Sequence, residues 1–292
     1  METILYKKLS SSMVKCLVCS HFCILKDGER GICGVRENNK GTLLVLNYGK
    51  TIAASIDPIE KKPLNDFLKN TKTYSFATVG CNMDCPWCQN HTISQSPKLN
   101  KSIEGKNVSP KEHIDNALYY HCPSISYTYS EPTIFLEYAY DTMKLATNKG
   151  LKNIWVTNGY MSKETLKLIL PYLDAANVDY KGQNDLYKKY SLGNPKIILD
   201  NMRIMKEALV HLEVTTLIIP GLNDKKEDII SIAKDLKKYV GVNTPWHISR
   251  FFPAYKMKDI SITPKETLLM AEKIAHDFGF KNVYLGNIQE RR

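Results

Sequence analysis

Tyr74-Ser-Phe-Ala-Thr-Val-Gly80-Cys81-Asn-Met-Asp-Cys85-Pro-Trp87-Cys88 is a short apolar and β-branched run that breaks at a glycine into a loop carrying three cysteines. Aromatic and β-branched residues favour a strand, and a glycine punctuates its end. Three thiols spaced C-x3-C-x2-C on one loop can bind three corners of a cubane iron–sulfur cluster, which normally takes four cysteines. The missing ligand would leave one iron open, as catalytic zinc sites keep one position free. Two other readings stay open at this point. One is a zinc site completed by Cys122 or His91; the other is a set of thiols that binds no metal.

Beyond the loop, short apolar runs near 74–80, 124–129, 152–157, 175–180, 211–219, 245–250 and 281–285 alternate with amphipathic stretches near 110–121, 133–149, 162–172, 195–209, 225–239 and 264–277. Ser109-Pro110, Ser162 with Glu164, and Thr263-Pro264 are helix start signals. Strand–helix repetition of this kind predicts an α/β fold with parallel strands and right-handed crossovers, a partial (β/α)6 TIM-like barrel. A doubly wound open sheet is the alternative. In both, chemistry collects where the strands end. The predicted strand ends carry Cys81–Cys88, then Ser130-Glu131-Pro132, Asn158-Gly159, Asp179-Tyr-Lys181-Gly182, Pro220-Gly221, and His247 with Arg250. Polar groups at nearly every rim position, above apolar strands, predict one shared site.

The eight cysteines are grouped: four between 16 and 33, three between 81 and 88, and Cys122 alone. Cys16-x2-Cys19-x3-Cys23-x9-Cys33 is a complete four-thiolate set, with Gly28 and Gly31 to turn the chain back. Four ligands with no spare position suit a closed structural zinc site, a second iron–sulfur cluster is equally allowed by cysteine chemistry, and thiols that bind no metal are the third reading. Residues 1–65, with β-like stretches at 42–48 and 51–56, are therefore expected to form a small Cys-rich, β-containing N-terminal module, and residues 66–292 the barrel. Cys122 reads as a packing thiol.

A hydrophobic content of 43% with 24% charged residues excludes a globally disordered chain. Nothing approaches the ~18 apolar residues of a membrane span, and the start lacks a signal-peptide core, so a cytoplasmic protein with no membrane partner is expected. Thiols stay reduced there, and clustered cysteines then mean metal or catalysis. The charge of 40 − 30 = +10 would permit an anionic partner. No Lys/Arg block exceeds three residues, however, and residues 16–33 hold only Lys26 and Arg30. A solvated lysine-rich surface explains the charge better than nucleic acid does.

C-x3-C followed by a residue, an aromatic (Trp87) and Cys88 at the end of the first barrel strand resembles the radical S-adenosylmethionine (radical SAM) signature. Glu131-Pro132 resembles the end of that superfamily's Gly-Gly-Glu-Pro motif, with Tyr129 and Ser130 in place of the glycines. Asp179-Tyr180-Lys181 is similar to the Asp-x-Lys of glycyl-radical-enzyme activases. Phe252-Pro-Ala-Tyr255-Lys256-Met257 is similar to their Pro-Tyr-His-Lys-Met segment, with Tyr255 for His, and Thr215 stands where they have Arg. Residues 16–36, Asp57-Pro-Ile-Glu-Lys-Lys-Pro-Leu64, residues 80–90 and Pro245-Trp-His-Ile-Ser-Arg-Phe251 together resemble the radical SAM member of the AmmeMemoRadiSam system, which is related to the pyruvate formate-lyase activating enzymes. Members often carry a further cysteine-bearing tail, whereas this sequence ends Gly286-Asn-Ile-Gln-Glu-Arg-Arg292.

The resemblance implies an oxygen-sensitive oxidoreductase with a [4Fe–4S] cluster on Cys81, Cys85 and Cys88. Its open iron would chelate SAM, and one electron would cleave the S–C5′ bond. The 5′-deoxyadenosyl radical would then take hydrogen from a protein or small-molecule substrate. Glu131 would accept from the SAM ammonium, Lys181 would meet its carboxylate, and Asp179 would hold Lys181 or the ammonium. Asn158 would meet the ribose or carboxylate, Trp87 would line the cofactor, and His247 and Arg250 would face SAM or substrate. A one-electron reductant such as ferredoxin or flavodoxin is the implied partner. Two competing functions are an RNA-modifying radical SAM enzyme and a non-catalytic carrier with two clusters.

Overall fold

The computed structural model describes residues 1–182 and 184–288; the final stretch of the barrel region, 289–292, lies outside the described residues. Its centre is an eight-stranded sheet in sequential order, and we number those strands β1 (Ala53–Pro58), β2 (Lys72–Ala77), β3 (Ser124–Tyr127), β4 (Lys152–Thr157), β5 (Ala175–Asp179), β6 (His211–Ile218), β7 (Trp246–Arg250) and β8 (Val283–Gly286). Strands β2 to β8 are all parallel, and β1 runs antiparallel to β2. The sheet does not close, because β1 and β8 are its two edges. It is a partial barrel of six strand–helix units with a seventh parallel strand and an antiparallel lead-in strand.

Helices begin at all three start signals, two of which cap through a side chain while Thr263-Pro264 precedes Lys265–Asp277 without one. Ser109 accepts from the Glu112 amide and Glu112 accepts from the Ser109 amide, a capping box with Pro110 in the first turn of Pro110–Tyr119. Ser162 caps Lys163–Ile169 through the Thr165 amide, and Asn194 caps Pro195–Glu207 through the Lys196 amide. The interior strands β2 to β7 are buried over most of their length, as parallel strands covered by crossover helices must be, whereas the edge strands β1 and β8 are only partly buried.

Side-chain alternation divides the strands into two faces. The outer face meets the helices: Phe76 stacks on His113 of Pro110–Tyr119 at 3.8 Å. The inner face is unusually polar. Thr73 bonds Ser126 across β2 and β3 (2.8 Å), Thr215 donates to Asn177 (2.8 Å), and His247 meets Glu213 (2.6 Å). These polar groups are paired with one another across neighbouring strands.

The N-terminal ends of the strands are plugged by the segment after β1. Ile59 and Leu64 pack with Ile154 and Ala175, Asn177 donates to the Pro63 carbonyl, and the Asn65 and Asp66 amides donate to the buried Glu213 carboxylate. Asp66 then accepts from Asn282 and Tyr284 beside and on β8, tying together the two sides of the open sheet. This floor is what Asp57-Pro-Ile-Glu-Lys-Lys-Pro-Leu64 does structurally.

The N-terminal strands are short: Tyr6–Lys8, Val14–Cys16 and Ile24–Leu25 pair antiparallel, and Arg36–Asn39 pairs with Thr42–Val45. Val14, Val18 and Leu43 belong to one hydrophobic core with the barrel residues Phe76, Tyr127 and Trp155. The sheet itself begins at Ala53, so the packed architecture crosses position 65 rather than dividing there.

Candidate functional site

Gly80 connects β2 to the cysteine loop with φ +106°. A Cβ there would lie 2.7 Å from Val35 Cγ1 and 3.1 Å from the Cys33 carbonyl, so both backbone shape and space require glycine. The loop is then held from several sides. The Met83 amide donates to Cys81 Sγ, and Lys98 Nζ and Gln95 Nε2 both donate to the Met83 carbonyl. Cys85 Sγ lies 3.4 Å from Ser191 Oγ on the π-helical turn Tyr187–Ser191, and Cys88 Sγ lies 3.3 Å from Ser94 Oγ. π-Turns recur at functional sites. Trp87 is buried beneath the loop and tilts against Tyr190.

All three sulfurs therefore face weak partners only, on a loop whose backbone is fixed. Desolvation pushes the Cys81 thiol well above its ordinary pKa, and the nearby Glu131 carboxylate adds to this. Desolvation also raises Cys85, while Lys181 opposes the shift. Neutral thiols at pH 7 must lose protons to bind metal, so any metal uptake here releases them. Among the described residues no group of three or more His, Cys, Asp and Glu stands close enough to hold a single metal ion. A cubane holds its cysteines wider apart than one ion does, so the donor chemistry of the loop, three thiols with no fourth, fits a cluster with an open iron.

Glu131 sits at the exit of β3 with its side chain buried. Its Oε1 accepts from the Thr133 amide (3.1 Å), Thr133 Oγ1 (2.6 Å) and Thr157 Oγ1 (2.6 Å), and its Oε2 accepts from the Asn158 amide (2.8 Å). Burial still raises its pKa against those hydrogen bonds. Each carboxylate oxygen has about two acceptor sites, so Oε2, with a single donor, keeps capacity for one more. Before it, Tyr129 adopts φ +63°, the left-handed conformation for which glycine is the default residue. Tyrosine is held in that shape by its hydroxyl, which donates to Asp57 (2.6 Å) and accepts from Lys62 (3.2 Å).

Asn158, at the exit of β4, reaches the loop directly: Nδ2 donates to Asn82 Oδ1 at 2.7 Å and lies 3.9 Å from Cys81 Sγ. Lys181, beyond β5, is buried and paired with the more exposed Asp179 at 3.1 Å. Burial disfavours its charge, but Asp179, Tyr187 and Cys85 outweigh that and raise its pKa. The segment after β7 closes over the loop from above. Gln89 donates to the Phe252 carbonyl, the Lys256 amide donates to the Pro86 carbonyl, and Tyr255 stacks on His91 at 4.7 Å.

The structure thus gathers Trp87, Glu131, Asn158, Asp179 and Lys181 around Cys81, Cys85 and Cys88. Two expected rim residues are placed differently. His247 is on the inner face but three residues short of the strand end, bonded to Glu213 at 2.6 Å and stacked on Tyr284. It belongs to the interior below the rim. Arg250 is a correction of a different kind. Alternation along β7 turns it to the outer face, where its Nε donates to the Thr263 carbonyl at 2.7 Å.

Sequence reasoning missed Ser191, Ser94, Asn82 and Glu213. Serines and asparagines in loops carry no signal of their own. Glu213 did carry one: a carboxylate within the apolar run His211–Ile218 demands a buried partner. Its carboxyl is held at a pKa of about 2, burial being outweighed by His211, His247 and the two floor amides.

The family model described as the radical SAM superfamily matches residues 75–236. An uncharacterised protein of Methanocaldococcus jannaschii is 44% identical over 287 residues, covering 98% of this chain and 85% of that protein. A putative glycyl-radical enzyme activating enzyme of the same organism is 29% identical over 182 residues, 59% of this chain and 71% of its own length. Among solved structures, Streptococcus suis SuiB bound to S-adenosylmethionine matches with a TM-score of 0.54 and 12% identity, over 70% of this chain and 47% of SuiB. That last likeness is one of fold.

Proposed function

The chain belongs to the radical SAM superfamily, and from that premise we propose that it is an activating-enzyme-like catalyst that abstracts hydrogen from a protein or small-molecule substrate. The observation that carries the proposal is the convergence of Glu131, Asn158 and Lys181 on the three-cysteine loop. Cys81, Cys85 and Cys88 would hold a [4Fe–4S] cluster. When bound, that cluster supplies the electron that cleaves SAM into methionine and a 5′-deoxyadenosyl radical.

The residues of the chain bind and orient. Glu131, rigid in its four hydrogen bonds, offers Oε2 to an ammonium. Lys181, kept protonated by Asp179, offers a cation for a carboxylate. Asn158 spans from Asn82 to the Tyr160 amide and holds the β4 exit against the loop. The segment carrying Phe252, Tyr255 and Lys256 shields the loop from solvent on one side. Below, the polar inner face with Asn177, Thr215 and His247 forms the wall that a substrate would meet. The similarity to a putative glycyl-radical enzyme activating enzyme supports a protein substrate.

The test is anaerobic reconstitution with iron and sulfide, followed by dithionite and SAM. The parent chain is expected to release methionine and 5′-deoxyadenosine. Cys85→Ala is expected to release neither above background, and equal yields from the two proteins would defeat the reading.

A further inference from the structure

We propose that Cys16, Cys19, Cys23 and Cys33 hold a closed tetrathiolate metal centre, and that the Nε–H of Arg36 donates to one of its sulfurs. The four cysteines line one small, partly open cavity with Val18, Leu25, Ile32, Ile134 and Arg36. Gly31 lies beside two of them: a Cβ there would be in ordinary contact with Cys23 Sγ (3.7 Å) and Cys33 Sγ (3.9 Å). None of the four is in a disulfide. As they stand the thiols do not form a finished single-ion shell, so binding draws their side chains inward around the cavity they already line.

Arg36 is the observation that points to an anion there. Its guanidinium is buried, and a guanidinium has five N–H donors. Four of them are satisfied: Nη1 donates to Thr3 Oγ1 and Glu137 Oε1, and Nη2 donates to the Ile134 carbonyl and Glu137 Oε2. The fifth, on Nε, is buried with no partner. Orphaned buried donors are costly and rare. A neutral thiol is a weak acceptor, whereas a metal-bound thiolate is a good one. Zn2+ and a [4Fe–4S]2+ core each bring two positive charges to four thiolates, so either leaves a dianion for that N–H. Second-shell donors of this kind orient and tune metal thiolates.

The centre would also brace the catalytic loop. The Cys33 carbonyl faces Gly80, His21 Nε2 meets the Asn82 carbonyl at 2.8 Å, and Cys19 bridges to Met161 just beyond Asn158. These contacts join the module to the start of the three-cysteine loop and to the segment after β4 beside it.

Metal analysis of the full chain, purified and reconstituted anaerobically, tests the proposal independently of SAM cleavage. The informative variant is Cys81→Ala/Cys85→Ala/Cys88→Ala, which keeps the N-terminal four. It should retain about one zinc or about four irons per chain; the first outcome identifies zinc and the second an auxiliary cluster. A chain of that variant with no bound metal would overturn the centre. Cys16→Ser/Cys19→Ser in the parent should lose the same metal while keeping the share bound at Cys81, Cys85 and Cys88. Arg36→Lys preserves a cation opposite Glu137 but removes Nε. It should release the N-terminal metal to a chelator about 10–100-fold more readily, and unchanged retention would remove Arg36 from the assignment.

Discussion

At the scale of single residues, the site works through side chains whose hydrogen bonds were settled before any ligand arrives. Glu131 is the clearest case, because four donors hold its carboxylate and leave one acceptor position. Glu131→Gln keeps the shape and removes the charge, so SAM affinity should fall about tenfold, the scale of one charge-assisted hydrogen bond. Cluster content should be unchanged, and equilibrium binding with iron analysis separates the two. His113 makes a contrasting use of burial. Stacked on Phe76 and bonded to Tyr74, Thr51 and Tyr138, it is pushed by desolvation down to a pKa of about 3. The unfolded chain binds that proton near pH 6.5 and the folded chain does not. Its stabilising contribution is therefore whole above about pH 6.5 and is lost as pH falls toward 3, at about 1.4 kcal/mol per pH unit. Denaturant titrations at stepped pH should show that slope reduced in His113→Gln, which hydrogen-bonds without titrating in this range.

At the scale of elements, the junction of β2 with the cysteine loop governs the site. Gly80 sits against Val35 and the Cys33 carbonyl in a conformation closed to other residues. Gly80→Ala should cost about 1–3 kcal/mol of stability and lower the iron retained after reconstitution, read by thermal melting and iron analysis. The strands and helices were readable from the chain because each has a local cause: periodicity, caps and glycine breaks. Ser109-Pro110 with Glu112, for example, carries its own hydrogen bonds within four residues. The facing of individual strand residues was harder to read. His247 and Arg250 differ by three positions, so alternation places them on opposite faces, and only pairing of β7 with β6 and β8 decides which face is inside.

At the scale of the whole molecule, the N-terminal cysteine region and the barrel share a core and a buried ion pair. Arg36 and Glu137, 101 positions apart, meet at 2.7 Å with both side chains almost wholly buried. Glu137→Ala leaves the guanidinium uncompensated and should cost about 3–5 kcal/mol, with the two regions still unfolding in one transition by calorimetry. Among the described residues no helix is long and apolar enough to cross a membrane. The cysteine spacing, the strand–helix alternation and the polar strand exits were determined by sequence alone, because metal-ligand spacing, helical periodicity and chain breaks are local properties. The tertiary structure decided the rest: that Ala53–Pro58 joins the main sheet, that residues 59–68 form its floor, that Arg250 faces outward, and that Arg36, buried against Glu137, keeps one N–H without a partner. Each depends on partners tens to more than a hundred residues away, and packing, unlike periodicity, leaves no trace in the spacing of neighbours.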